Sequence, residues 1–242
     1  MIASEVAIAP HSDPDSPAAR PPSEREPRPS PSEGVLRPRV AVLLSGSGRT
    51  LENLLAATRD GRLDAELVAV VASRPDVRGV AVARAAGLPL AVVERRGFAD
   101  DAAFSGAIYG WLGPHRPHLI ALAGFLKRLD VPPAWEGRIL NVHPSLLSES
   151  AAAGRGFYGE RVHAAVLASG AAESGATVHV VDGEYDRGPV VMERRVPVEP
   201  GDTVQTLAAR VFAAECALYP AAIAAYLHDN PWLTAGEAGA PE

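Results

Sequence analysis

What most limits how this chain can fold is a repeated alternation between short apolar runs and stretches with helical spacing. The first run, Arg39-Val40-Ala41-Val42-Leu43-Leu44, is nearly continuous. A strand buried on both faces reads this way, because neither set of alternate side chains meets water. Residues 67–71, 88–93 and 118–123 repeat the pattern, with helical stretches from 51 onward, over 79–86 and over 102–112 between them. Strands alternating with helices predict an α/β fold: a mostly parallel, twisted sheet with right-handed crossovers and helices on both faces. A further helix is expected over 159–168, after which the pattern changes. Residues 176–181 and 189–196 flank the acidic loop Asp182-Gly183-Glu184-Tyr185-Asp186-Arg187-Gly188 and read as a C-terminal antiparallel strand pair. A closing helix is expected over 203–227, with Thr203 as its cap.

Two points along this alternation have the makings of a site. After the first strand comes Ser45-Gly46-Ser47-Gly48-Arg49-Thr50, and Leu51-Glu52-Asn53-Leu54-Leu55 opens a helix, with Thr50 expected as its N-cap. Strand, glycine-rich turn and helix N-terminus together suit an anion, since free amides and the helix dipole point at it and glycines let it approach. The pattern is neither Gly-x-Gly-x-x-Gly nor Gly-x-x-x-x-Gly-Lys, so it does not support a dinucleotide or nucleoside-triphosphate site. The second point is Asn141-Val142-His143-Pro144-Ser145-Leu146-Leu147, which follows the apolar Arg138-Ile139-Leu140. Residues two apart on a strand share a face, so the Asn141 amide and the His143 imidazole should point together. Pro144 cannot continue a central strand, and the chain must leave the sheet there. Such strand ends are where an open α/β sheet keeps its ligand crevice.

Composition sets the limits. With 242 residues, 47% of them hydrophobic and 21% charged, the chain can bury a core and stay soluble. Its net charge of −6 and lack of a dense basic run argue against nucleic acid as a partner. No uninterrupted apolar run reaches the roughly 18 residues of a membrane span, and the first ten residues do not read as a signal peptide. The lone cysteine, Cys216, allows no intramolecular disulfide and favours the cytoplasm. Residues 1–38 hold nine of the 22 prolines and read as a disordered tail, with a proline-rich docking segment as the alternative. The folded domain is expected over 39–228, and 229–242 is expected to fray.

Five motifs occur in order: Ser45-Gly46-Ser47-Gly48-Arg49-Thr50-Leu51, Ala123-Gly124-Phe125, Asn141-Val142-His143-Pro144-Ser145-Leu146-Leu147, Gly175-Ala176-Thr177-Val178-His179 and Asp186-Arg187-Gly188-Pro189. Together with Glu215-Cys216-Ala217-Leu218-Tyr219-Pro220 they resemble the phosphoribosylglycinamide formyltransferase family of purine synthesis, over about residues 39–228. The resemblance implies a Rossmann-like formyltransferase fold, and transfer of a formyl group from 10-formyltetrahydrofolate to the amine of 5-phosphoribosylglycinamide without a metal. It implies that Gly46, Ser47, Gly48, Arg49 and Thr50 hold the nucleotide phosphate and that Glu215 binds the ribose hydroxyls. On the same grounds Leu126, Lys127, Arg128 and Leu129 border the pteridine pocket, and Asp182, Gly183, Glu184, Tyr185 and Asp186 close over it. Asn141, His143 and Asp186 are then the catalytic group, with Asn141 also touching the formyl-folate and His179 structural or supporting. An amide and a protonated imidazole can stabilise a tetrahedral oxyanion. An imidazole can also relay the proton between nitrogens, and an adjacent carboxylate favours its charged form. Such an enzyme is expected to be a monomer or weak homodimer in the cytoplasm.

The chain departs from the family pattern in three places. Residues 148–156 form a longer loop of Ser, Ala and Gly, expected to be mobile without ligand and ordered with it. Thr50 stands where Asn is usual, and Arg95 and Arg96 are the nearest candidates for a folate-binding arginine. Two other readings stay open: a formyltetrahydrofolate deformylase-like hydrolase, and a non-catalytic folate- or nucleotide-binding protein of the same fold.

Overall fold

A computed structural model describes residues 37–148, 159–184 and 186–235. Seven strands form one sheet in the order β3-β2-β1-β4-β5-β6-β7. They are β1 (Arg39–Leu44), β2 (Glu66–Ala72), β3 (Leu90–Val92), β4 (Leu119–Leu122), β5 (Ile139–His143), β6 (Glu173–Val180) and β7 (Val190–Pro197). The first five run parallel, and β6 pairs antiparallel with both β5 and β7. Among the described residues there are five α-helices, four between strands and the last after β7: α1 (Arg49–Arg59), α2 (Arg78–Ala85), α3 (Asp101–Leu112), α4 (Glu160–Ser169) and α5 (Val204–Asp229). The expected α/β class, the mostly parallel sheet and the antiparallel C-terminal pair are all present.

Alternation along fully buried strands builds two cores at once. Val40, Val42 and Leu44 of β1 join residues of α1, α2, α4 and α5 in one cluster, while Ala41 and Leu43 join α3 residues Phe104, Ile108 and Leu112 in the other. Each such Leu or Ile contributes about 1.5–3 kcal/mol of burial free energy, which is why β1 tolerates no polar residue on either side. The strand order doubles back between β1 and β4, so the connections after these strands go to opposite sides. A crevice opens at their carboxyl ends.

α5 has the length and composition that could cross a membrane, yet half of its apolar stretch is buried inside the protein, where it acts as a core helix. Pro220 lies inside it. Proline has no N–H to give to the carbonyl four residues back, which belongs to Cys216. Asn53 on α1 supplies the missing donor, its Nδ2 lying 2.9 Å from Cys216 O. The neighbouring Tyr219 is fully buried, and its hydroxyl lies 3.1 Å from both Leu122 O, the last residue of β4, and Leu140 O, the second residue of β5. The helix is thus fastened to the two strands that border the crevice.

The margins differ from expectation in two respects. Arg37 and Pro38 already join the domain, through an Arg37–Asp64 ion pair and a Pro38 carbonyl that accepts from Glu66 N–H. After α5 the chain turns through Pro231–Leu233, where Leu233 is buried and Trp232 lies over Arg138. Leu233 finds an apolar seat that a local reading of a polar tail could not show. The rest of the expected tail (1–36), residues 236–242 and most of the 148–156 loop lie outside the described residues.

His118, just before β4, is buried, and its Nδ1 accepts the Arg39 N–H at 2.9 Å. Burial and then the nearby Arg39 and Arg138 charges lower its pKa below the usual histidine value of 6.5. The unfolded chain therefore binds a proton here before the folded one does. Stability is expected to be level above about pH 6.5 and to fall as the pH drops below it. Urea melts from pH 8 to pH 5 on wild type and His118→Asn check this, and an equally steep decline in the variant would remove His118 as a cause.

Candidate active site

A cavity of about 450 Å³ opens at the carboxyl ends of β1, β4 and β5. Its polar heart is built by register. Asn141 on β5 sits opposite His179 on β6, and His143 sits opposite Thr177, which in turn faces Glu193 on β7. Directly paired residues share a sheet face. The face that Ile139 buries in the core therefore becomes polar from Asn141 onward.

Asp186 completes this group from the β6–β7 loop. Its Oδ1 lies 3.5 Å from His143 Nδ1 and 3.6 Å from His179 Nε2, and all three side chains are largely buried. Asp186 has φ of 56°. That left-handed conformation is uncommon for a residue with a side chain, although Asp and Asn are the side chains that accept it best. Asn141 Nδ2 lies 3.1 Å from His179 Nε2, and His179 Nδ1 lies 3.0 Å from Val180 O. A carbonyl can only accept, so His179 donates from Nδ1, and in that tautomer Nε2 accepts from the Asn141 amide. His179 thereby sets which way the Asn141 amide faces. It also lines the cavity.

Arg49 and Thr50 of α1 and Ala208, Val211, Phe212 and Glu215 of α5 form one part of the cavity lining. The four α5 residues are spaced as one helical face. Glu215 is buried, and Thr50 Oγ1 donates to its Oε1 at 2.7 Å. Burial pushes the Glu215 carboxyl above the ordinary carboxylate range, and the Thr50 hydrogen bond and the Arg49 charge pull the other way. The Arg49 guanidinium lies 3.5 Å above the Phe212 ring. Thr50 is not the N-cap of α1. Gly48 holds that place in a left-handed conformation, with φ of 77° and no side-chain cap, so Thr50 falls in the first turn and is free to reach Glu215. Gly46, Ser47 and Gly48 are not among the cavity-lining residues and form the turn beside it.

Leu126, Lys127, Arg128 and Leu129, together with Gly183 and Glu184, form another part of the lining. Arg128 Nη2 donates to Gly183 O at 3.3 Å, tying these two segments together. Asp182 is not among the lining residues but accepts the Glu184 N–H within its own loop, and Tyr185 lies outside the described residues. Arg95 and Arg96 do not line the cavity: Arg95 is held by Asp101 and Phe98 O, and Arg96 by Glu94.

Three further residues were not singled out by sequence reasoning. His163 of α4 lines the cavity and is buried, and its Nδ1 makes no hydrogen bond among the described residues. Burial first, and then His143, hold its pKa below the usual value. Thr177 Oγ1 lies 2.7 Å from both Ser145 O and Glu193 Oε1 and accepts the Leu147 N–H at 3.0 Å. Glu193 also takes the Ser148 hydroxyl at 2.8 Å. Burial works against the Glu193 charge, yet the hydrogen bonds from Thr177 and Ser148 hold its carboxyl below the ordinary range. Thr177 and Glu193 thus brace the turn that follows His143. Only Thr177 had a signal, its place in the Gly175–His179 motif.

Fold and site together define a doubly wound α/β protein with an amide, imidazole and carboxylate cluster at the strand ends, lining one cleft. Residues 38–223 match the formyl transferase family, and the chain belongs to it. It is 32% identical over 200 residues to phosphoribosylglycinamide formyltransferase of Haemophilus influenzae, covering 82% of this chain and 88% of that protein. It is 39% identical over 203 residues to the trifunctional purine biosynthetic protein adenosine-3 of Gallus gallus, covering 83% of this chain but only 19% of the relative. The chain thus spans about a fifth of the length of that longer protein. Among solved structures, phosphoribosylglycinamide formyltransferase of Brucella melitensis has a TM-score of 0.70 at 39% identity, over 79% of this chain and 96% of that one. Glycinamide ribonucleotide transformylase 1 of Symbiobacterium toebii has a TM-score of 0.73 at 34% identity, over 80% of this chain and 89% of that one.

Proposed function

We propose that this chain transfers the formyl group of 10-formyltetrahydrofolate to the amine of 5-phosphoribosylglycinamide. The observation that carries the reading is the position of the Asn141, His143 and Asp186 cluster. It lines one cavity together with the buried Thr50–Glu215 hydroxyl–carboxylate pair and with residues of the 126–129 and 183–184 segments. The first group suits a sugar, with Glu215 accepting from ribose hydroxyls and the free amides of the α1 N-terminus meeting a phosphate. The other suits a flat heterocycle, held between residues 126–129 and 183–184.

In this reading the amine nitrogen attacks the formyl carbon and a C–N bond forms. The carbonyl oxygen becomes an oxyanion, which the second Asn141 amide hydrogen and protonated His143 stabilise. The proton lost by the attacking nitrogen passes to the folate nitrogen, with the His143 imidazole as carrier. The bond from carbon to that folate nitrogen then breaks. Asp186 orients His143 and favours its cation. No step calls for a metal.

An assay with purified protein tests this: both substrates together should give formylglycinamide ribonucleotide, and omission of either should abolish product. Formate release without the amine would favour the hydrolase reading instead. Binding of both ligands without turnover would favour the non-catalytic one.

The phosphate site gives a separate prediction. A side-chain carbon on Gly48 would lie 2.6 Å from Gly79 Cα, away from any ligand and against α2, and φ there is already positive. Gly48→Val is therefore expected to damage the fold rather than report on phosphate. Gly46 has nothing within 4 Å of an added carbon. Gly46→Ala should leave the melting temperature nearly unchanged and raise KM for the nucleotide by about fivefold to tenfold, the scale of one lost hydrogen bond. An unchanged nucleotide KM would move the phosphate away from this turn.

A further inference from the structure

Ser45 is the first residue after β1, and it does not line the cavity. It is buried, and three bonds converge on it. Its N–H donates to Gly124 O at 3.1 Å, and its Oγ accepts the Leu126 N–H at 2.9 Å and the Ser73 hydroxyl at 2.7 Å. Gly124 and Leu126 both line the cavity, and Leu126 begins the segment assigned above to the formyl donor. The side chain of Leu126 is half exposed, so apolar packing contributes little to holding it. Its backbone instead hangs on the Ser45 hydroxyl.

We propose that Ser45 is a positioning residue for the formyl-donor subsite, although it belongs in sequence to the glycine turn assigned to the nucleotide. The proposal rests on the assignment of residues 126–129 to the folate. Without the Ser45 hydroxyl, the Leu126 N–H loses its partner, while Gly124 keeps its bond to the Ser45 N–H and Phe125 and Leu129 stay packed in the core. A bound heterocycle must then order the Leu126 backbone itself, and the cost appears in donor affinity. Ser73 offers an internal control. Its hydroxyl is equally buried and equally close to Ser45, but it touches no residue of the 124–129 segment in the bonds described here.

The experiment compares wild type, Ser45→Ala and Ser73→Ala. Tetrahydrofolate binding is followed by intrinsic fluorescence, KM is measured for each substrate, and melting temperature is recorded. Ser45→Ala should weaken tetrahydrofolate binding and raise KM for 10-formyltetrahydrofolate about tenfold, while KM for the nucleotide stays within about twofold. Ser73→Ala should lower the melting temperature comparably and leave both KM values within about twofold. Equal shifts in the two variants, or a parallel rise of both KM values in Ser45→Ala, would overturn the proposal and leave Ser45 a plain structural hydroxyl. If wild type binds tetrahydrofolate but transfers no formyl group, the catalytic reading fails while the binding ratio still decides on Ser45. If wild type binds no tetrahydrofolate, both fall.

Discussion

Asp186→Asn is expected to lower kcat by roughly two to four orders of magnitude, the scale on which acid–base or oxyanion assistance is lost. The substitution is a clean one. Asn is nearly isosteric with Asp and accepts the left-handed backbone that Asp186 adopts at φ 56°. The loop should therefore keep its course, and the melting temperature should change little. What disappears is a negative charge whose oxygen lies 3.5 Å from His143 and 3.6 Å from His179. His143 loses the group that favours its cation and fixes its orientation. KM for either substrate should move only a few fold, because the carboxylate acts on the imidazole rather than on the ribose or phosphate. Steady-state kinetics with both substrates varied is the test. A kcat within about threefold of wild type would take Asp186 out of the mechanism and leave it a turn residue.

The second large effect is structural and comes from the same motif. A side-chain carbon on Gly188 would fall well inside contact distance of the Val180 carbonyl. That carbonyl is backbone and cannot swing aside, and it also receives the His179 Nδ1 hydrogen that sets the Asn141 amide. Gly188→Ala should therefore destabilise the protein by about 3 kcal/mol, toward the upper end for forcing an extra carbon into a packed site. For a domain of this size that is a fall in melting temperature of about 6–12 °C. Activity should fall with it, since the displaced strand end carries the partner of Asn141. A thermal melt settles the first point, and a shift under about 2 °C would show that the loop yields more easily than its packing implies.

The two substitutions show that one short motif does two kinds of work. Asp186 supplies charge, and Gly188 supplies absence of bulk where the loop crosses β6. In the sequence both letters look like ordinary loop residues, and only their place above Val180 and beside His143 separates them.

The amino-acid sequence alone determined the architecture and the centre of the site. Apolar runs without alternation required strands covered on both faces, and the intervening helical spacing required parallel crossovers. The change of pattern past residue 170 marked the antiparallel edge. Asn141 and His143 were legible as a pair because a strand has a period of two, and the strand-turn-helix at 45–50 was legible because its chemistry is local. What only the tertiary structure decided involves residues far apart in the chain. Thr50 reads as a helix cap but donates to Glu215, 165 residues on, because the helix begins two residues earlier than local propensity suggests. Glu215 reads as an exposed helix carboxylate and is buried. Arg95 and Arg96 lie near enough in sequence to suggest a folate contact, yet their nearest acids hold them elsewhere. Glu193 and His163 carry no motif of their own to announce a role, and Ser45 stands in a motif that points to the other substrate. Their positions depend on cross-strand register, on the packing of α4 over the strand ends, and on the loop that β4 delivers beside β1. Local spacing records none of these, since each is set by where separate segments meet once the sheet is assembled.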